Sequence, residues 1–188
     1  MQLCDSFQEK LSPYLSAYRK HYSGQTALLR LLEQLRTVLG SKERAAMVGI
    51  DLSKAFDCLP HELLLSVKEF HLSENSVKFL ASYLINRFQR VKIGDAYASW
   101  LSLHKGLPQG SVLGPLLFDI FLNDLLFLLT NSNINLYADD TQLFLRGLNS
   151  ITIPTSLQSD LTLASNWFQA NGMTTNPSKC LSMWFRRN

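Results

Sequence analysis

The stretch Ile134-Asn135-Leu136-Tyr137-Ala138-Asp139-Asp140-Thr141-Gln142-Leu143-Phe144-Leu145 decides the fold of this 188-residue chain. Polar and apolar residues alternate on both sides of the two aspartates, which predicts a β-hairpin with Asp139 and Asp140 at its tip. Adjacent carboxylates on a tight turn repel, and one is driven towards its protonated form unless water or a cation screens the pair. Two readings stay open here: a solvated turn, which favours Asp on its own account, or part of a site for a divalent cation.

A third acid lies upstream. Ala45-Ala46-Met47-Val48-Gly49-Ile50-Asp51 is an apolar run of strand length ending in a carboxylate, and Pro60 suits the first turn of a helix expected over residues 60–70. An acid at the end of a buried strand, beside an acidic hairpin tip, makes an oxygen-rich site. Mg²⁺ favours such ligands, taking one or two carboxylates and completing its shell with phosphate oxygens and water. Two such ions about 3.5–4 Å apart can activate an attacking hydroxyl and stabilise a leaving oxygen. The alternative for Asp51 is a helix cap or a surface turn.

Residues 26–39 set Ala27, Leu28, Leu31, Leu32, Leu35 and Val38 at helical spacing, with Gly40 as a stop. Residues 73–86 read as a helix capped by Ser73, and residues 111–129 as another. A helix over 157–170 carries the stripe Leu157, Leu161, Ala164, Trp167 and Phe168, and residues 180–185 read as a last strand. Strand, helices, hairpin, helix, strand is close to a split βαβ order. It predicts an α+β fold, a ferredoxin-like antiparallel sheet with helices on one face. The longest apolar run, residues 112–129, is broken by Pro115, Asp119, Asn123 and Asp124, as in a core helix rather than a membrane span.

Charge contributes less. The formal net charge of +3 does not announce a nucleic-acid binder, but the basic residues are uneven. Arg87, Arg90 and Lys92 surround one acid, Asp95, among Phe88, Tyr97 and Trp100. Such a patch can hold phosphates by counterion release; it reads equally as an exposed hairpin turning at Gly94-Asp95. Cys4, Cys58 and Cys180 lack the spacing of a disulfide framework or zinc site and suit a reducing, intracellular compartment.

Gly49-Ile50-Asp51-Leu52-Ser53-Lys54-Ala55-Phe56-Asp57, Gly106-Leu107-Pro108-Gln109-Gly110-Ser111-Val112-Leu113-Gly114-Pro115-Leu116-Leu117-Phe118, Asn123-Asp124-Leu125 and Tyr137-Ala138-Asp139-Asp140 occur in that order. Leu59-Pro60-His61, Ser82-Tyr83-Leu84-Ile85-Asn86-Arg87 and Asn176-Pro177-Ser178-Lys179 accompany them. Together these resemble the successive motifs of reverse transcriptases from non-LTR (LINE-type) retrotransposons, from about Tyr18 to Phe185. The resemblance implies a polymerase palm plus partial fingers, with residues 1–44 the fingers portion and 45–188 the palm with inserted helices and the basic hairpin. Thumb and endonuclease are expected to be absent.

The implied activity is RNA-directed DNA polymerisation, with an RNA template, a DNA primer and dNTP as partners and no membrane. The chain would be a portion of a longer retroelement polyprotein, working in the nucleus, with the cytoplasm as the alternative. The resemblance makes Asp51 and Asp139 the principal ligands of two Mg²⁺ ions, or of Mn²⁺, and lets Asp140 complete the triad. Phe56 becomes the ring that excludes a ribose 2′-hydroxyl. By the same resemblance Gln109 and Gly110 would lie against the incoming nucleotide, and Lys179 would protonate the pyrophosphate leaving group. Arg19 corresponds to the fingers arginine region, contacting triphosphate or template.

Three other classes compete with this reading. One is a truncated or domesticated fragment that binds nucleic acid or a partner without catalysis. The others are a nucleotide cyclase and an RNA-templated RNA polymerase on a palm-like fold, the last disfavoured by Phe56.

Overall fold

The computed structural model describes Phe7 and residues 10–65 and 73–186. At its centre is a four-stranded antiparallel sheet of β1 (Arg44–Ile50), β7 (Asn133–Tyr137), β8 (Asp140–Gly147) and β10 (Leu181–Phe185). The spatial order is β10-β1-β8-β7. Counting only these strands along the chain, the order is 4-1-3-2, the arrangement a split βαβ unit produces.

Alternation along β1 builds two cores. Ala46 and Ile50 join the main cluster, whereas Ala45 and Met47 join a smaller one with Val38 and Phe144. Two helices fill the main face: α5 (Leu113–Leu122), almost wholly buried, and α6 (Thr152–Ala170), which presents Ile153, Leu157, Ala164 and Phe168. The reverse face is covered by α1 (Gly24–Leu39), through Leu31, Leu35 and Val38. A capping box between Ser23 and Thr26 opens α1, and Gly40 closes it. Leu28 and Leu32 share its apolar stripe yet remain exposed, at 54% and 48%.

Shorter elements link these. After β2 (Leu52–Ser53) come α2 (Ala55–Cys58), α3 (His61–Leu65) and α4 (Glu74–Leu84). Residues 66–70 of the helix expected over 60–70 lie outside the described residues, as does Cys4. Ser73 caps α4 as its sequence suggests, accepting from Ser76 N at 3.2 Å. The basic segment forms two short ladders: β3 (Arg87–Gln89) with β6 (Leu101–Leu103), and β4 (Lys92–Ile93) with β5 (Ala96–Tyr97). The helix expected over 111–129 ends at Leu122 and tightens into a 3₁₀ turn over Asn123–Phe127. Finally β9 (Thr174–Thr175) pairs with β2.

Asp160 fastens the approach to β7. This fully buried α6 carboxylate accepts hydrogen bonds from the backbone N–H groups of Thr130 (3.3 Å), Asn131 (3.0 Å) and Ser132 (2.6 Å), and from the Ser132 hydroxyl. Burial alone would raise its pKa, but the hydrogen bonds from Ser132 and Asn131 outweigh it and hold the group below its ordinary value. Asp160→Ala leaves several buried donors unmatched and is expected to destabilise the chain by about 3 kcal/mol, read from the urea midpoint. A loss below about 0.5 kcal/mol, the level of an ordinary surface change, would sink this role.

Candidate active site

The tip of the acidic hairpin is a two-residue turn, Ala138-Asp139, closed by the Tyr137–Asp140 pair. Ala138 is buried and takes φ 53°, a left-handed conformation that disfavours a side chain. Asp51 reaches the same edge from β1. The ladder between β1 and β8 ends at Ile50 opposite Thr141, so the next residues, Asp51 and Asp140, face each other one step beyond it. Their proximity has an electrostatic signature: the Asp140 carboxyl is pushed above its ordinary value by partial burial, then by the charges of Asp139 and Asp51.

Lys179 arrives by a separate route. Pairing of Leu52–Ser53 with Thr174–Thr175 is extended by Asn176 N donating to Asp51 O at 2.8 Å. The following turn sets Lys179 Nζ 3.8 Å from Asp51 Oδ2. The lysine side chain is 67% exposed, so the pair adds little stability and matters for what it does to the site.

Phe56 lies on the one-turn helix α2, entered through Lys54 at φ 48°. Its ring stacks on Phe118 of α5 with centroids 4.3 Å apart and meets the edge of Tyr18 at 6.2 Å. Phe56 is only partly buried. Gln109 is exposed as well, and its Nε2 donates to Asp57 Oδ1 at 3.1 Å. Gly106 and Gly110 bracket this loop with φ 89° and 77°. A Cβ at Gly106 would lie 3.0 Å from Asp57 O, so only glycine permits that backbone approach.

Arg19 braces the segment before Tyr18 and acts electrostatically on Asp119. Its Nη1 donates to Ser12 O (2.5 Å) and Leu15 O (3.0 Å), and its guanidinium lies over the Tyr22 ring. Arg87 and Arg90 belong to the basic hairpin, where Arg90 stacks on Tyr97 at 4.0 Å and Trp100 at 4.5 Å, and Lys92 lies over Tyr97. A cleft of about 630 Å³ is lined by Arg87 and Gln89 of the hairpin together with Lys54, Asp57, His61, Lys105 and Gln109.

Two further residues at the site, Tyr18 and Asp119, carry no functional assignment from the sequence. Residues 14–16 hydrogen-bond along β7 through Ser16 N to Leu136 O and Leu136 N to Tyr14 O, which carries Tyr18 to the hairpin tip. There its phenol is pushed up by burial and by the charges of Asp139 and Asp119. Asp119 is 1% exposed, and neither carboxylate oxygen has a hydrogen-bond partner. Burial raises its pKa to about 7, against a lowering by Arg19. A charged residue inside an apolar helical run was the available signal, and it speaks of burial without naming neighbours.

Among the described residues no three His, Cys, Asp or Glu side chains are gathered into a metal-ligand cage. The charges of Asp139 and Asp51 do both act on Asp140. An all-carboxylate set with an open approach fits a hard divalent ion that completes its shell from phosphate oxygens and water.

The family model for "Reverse transcriptase (RNA-dependent DNA polymerase)" matches residues 3–185. A probable RNA-directed DNA polymerase from transposon BS of Drosophila melanogaster is 29% identical over 175 residues, covering 89% of this chain and 19% of the relative. The Pol polyprotein of the type-1 retrotransposable element R2 of Popillia japonica is 27% identical over 150 residues, covering 73% of the chain and 24% of the relative. The chain thus spans about a fifth of the length of such curated relatives. Apo telomerase from Candida tropicalis, truncated from its C-terminal domain, superposes with a TM-score of 0.76 at 16% identity, over 100% of this chain and 40% of that one. No described helix is long and apolar enough to cross a membrane.

Proposed function

This chain belongs to the reverse transcriptase (RNA-dependent DNA polymerase) family, and we propose that it carries the catalytic core for RNA-templated DNA synthesis in a longer retroelement protein. The observation that carries the reading is the meeting of Asp51 with the Asp139–Asp140 tip one step beyond the last β1–β8 pair. The reaction is attack of a primer 3′-hydroxyl on the α-phosphorus of a dNTP, with pyrophosphate leaving.

Asp51 and Asp139 would hold two Mg²⁺ ions, with Asp140 supporting them. When bound, the ions neutralise charge on the attacking and leaving oxygens. Lys179 stands beside Asp51, where it can deliver a proton to the departing pyrophosphate. Gln109 and Gly110 contact the nucleotide, and Gln109 exchanges its Asp57 partner for that contact. The template follows the cleft from Gln109 past Lys54, Lys105 and Arg87 towards Arg90 and Lys92, its phosphates neutralised by these cations. Arg19 acts on the fingers side, bracing the segment that presents Tyr18.

Phe56 selects deoxynucleotides. Its ring is fixed from behind by Phe118 and cannot retreat from a 2′-hydroxyl. Phe56→Val is expected to raise rNTP incorporation relative to dNTP by about tenfold or more, the scale on which a pocket discriminates by steric fit. Unchanged discrimination in single-nucleotide extension would remove Phe56 from this role and reopen the RNA polymerase alternative.

The deciding experiment is Mg²⁺-dependent extension of a DNA primer on an RNA template by the purified chain, beside a longer protein carrying the same residues. Extension by either supports the reading. Primer-template binding without extension by both would favour the non-catalytic alternative.

A further inference from the structure

We infer that His61 is a positioning residue that latches the loop bearing Gln109 to the segment bearing Phe56, and thereby fixes how these two residues stand relative to each other. The inference rests on the polymerase reading. His61 opens α3 and is 6% exposed. Its Nε2 lies 2.7 Å from Gly106 O, across 45 residues of sequence, and since a carbonyl oxygen only accepts, Nε2 donates.

The latch sits on an already close backbone seam. Gly106 N donates to Leu59 O and Leu107 N to Phe56 O, both at 2.8 Å, and Pro60 bridges Lys105. The Gly106 backbone approaches Asp57 so nearly that no Cβ would fit between them. Gly106 therefore donates through its N–H to this seam, and among the described residues the imidazole is the partner of its carbonyl. The far end of the loop is held separately: Ser111 Oγ donates to Pro108 O at 2.7 Å, accepts from Gly114 N at 3.1 Å, and receives the Tyr83 hydroxyl. With both ends fixed, only the middle, Gln109–Gly110, stands exposed to a ligand. Loss of the His61 bond would let the near end drift and move Gln109 relative to the Phe56 ring, with no acid, cation or gate residue removed.

The test uses two complementary replacements. His61→Phe keeps a ring in the buried space and loses the donor; His61→Gln keeps an N–H at similar reach and loses the ring. His61→Phe is expected to raise the dNTP KM about tenfold, the scale of one lost buried hydrogen bond, and to relax discrimination against rNTP, with kcat changed less. His61→Gln should restore both. Wild-type values in the Phe variant, or equal impairment of the two variants in step with their melting temperatures, would overturn the proposal.

Amide hydrogen exchange separates this from failure of the polymerase reading. Faster exchange at Gly106 and Leu107 in the Phe variant alone supports the latch even where no chain extends a primer. Equal exchange in all three chains refutes it.

Discussion

Asp139→Asn is expected to lower primer extension by about a thousandfold or more while leaving the fold intact, because preorganised charge at the reacting phosphate is the largest contribution such a site makes. Asn keeps the size and shape of the side chain, so the two-residue turn with Ala138 can persist. What it loses is an anionic oxygen for a cation. The same change relieves Asp140, whose carboxyl is pushed up by burial and by the Asp139 and Asp51 charges. Without metal, the variant should therefore melt no lower than the wild type. With added Mg²⁺ the wild type should gain stability, as any chain whose folded form alone binds a ligand does, and the variant should gain much less. Extension and melting thus move independently. An active Asp139→Asn chain, or one that loses activity only because it unfolds, would contradict the assignment.

The second large effect concerns Asp119 and pH. Its carboxyl lies 1% exposed on α5, without a hydrogen-bond partner for either oxygen, and burial raises its pKa from 3.8 to about 7. Between these values the folded chain holds a proton that the unfolded chain has released, so stability falls as pH rises across that interval. Its contribution is fully present below about pH 4 and is lost by about pH 7, for a total of roughly 4 kcal/mol at 1.36 kcal/mol per pH unit. Asp160 acts with the opposite sign, since its hydrogen bonds hold it below the ordinary value and its contribution disappears in acid.

Asp119→Asn is expected to remove the fall between about pH 4 and 7 while leaving the acid limb set by Asp160. Urea unfolding at several pH values, without metal or nucleotide, reads this directly. A wild type and variant with parallel pH profiles would show that Asp119 stays ionised in the folded chain, with Arg19 as its countercharge. The position also matters functionally, because the Tyr18 phenol feels both Asp119 and Asp139. The charge state of Asp119 is therefore felt at the edge of the active site.

The sequence alone determined the hairpin and its acidic tip, the strand ending at Asp51, the Ser73 cap and the family, because each is written in near neighbours. Alternation reports the faces of a strand, and capping and turn chemistry act within a few residues. Periodicity could not say how much of a stripe finds cover: Leu28 and Leu32 of α1 follow the helical spacing yet stay exposed, since the reverse face of the sheet is filled by Leu31, Leu35 and Val38.

It also could not foresee that residues 111–129 form two pieces, as local propensity is overridden where Asn123 accepts from Ser12 N. Tertiary structure alone brought Lys179 to Asp51, Gln109 to Asp57 across 52 residues, His61 to Gly106, and Tyr18 to the hairpin tip. These meetings depend on strand register and on which segments pack together. Both are set by global burial and by long-range hydrogen bonding, which leave no periodic mark on the chain.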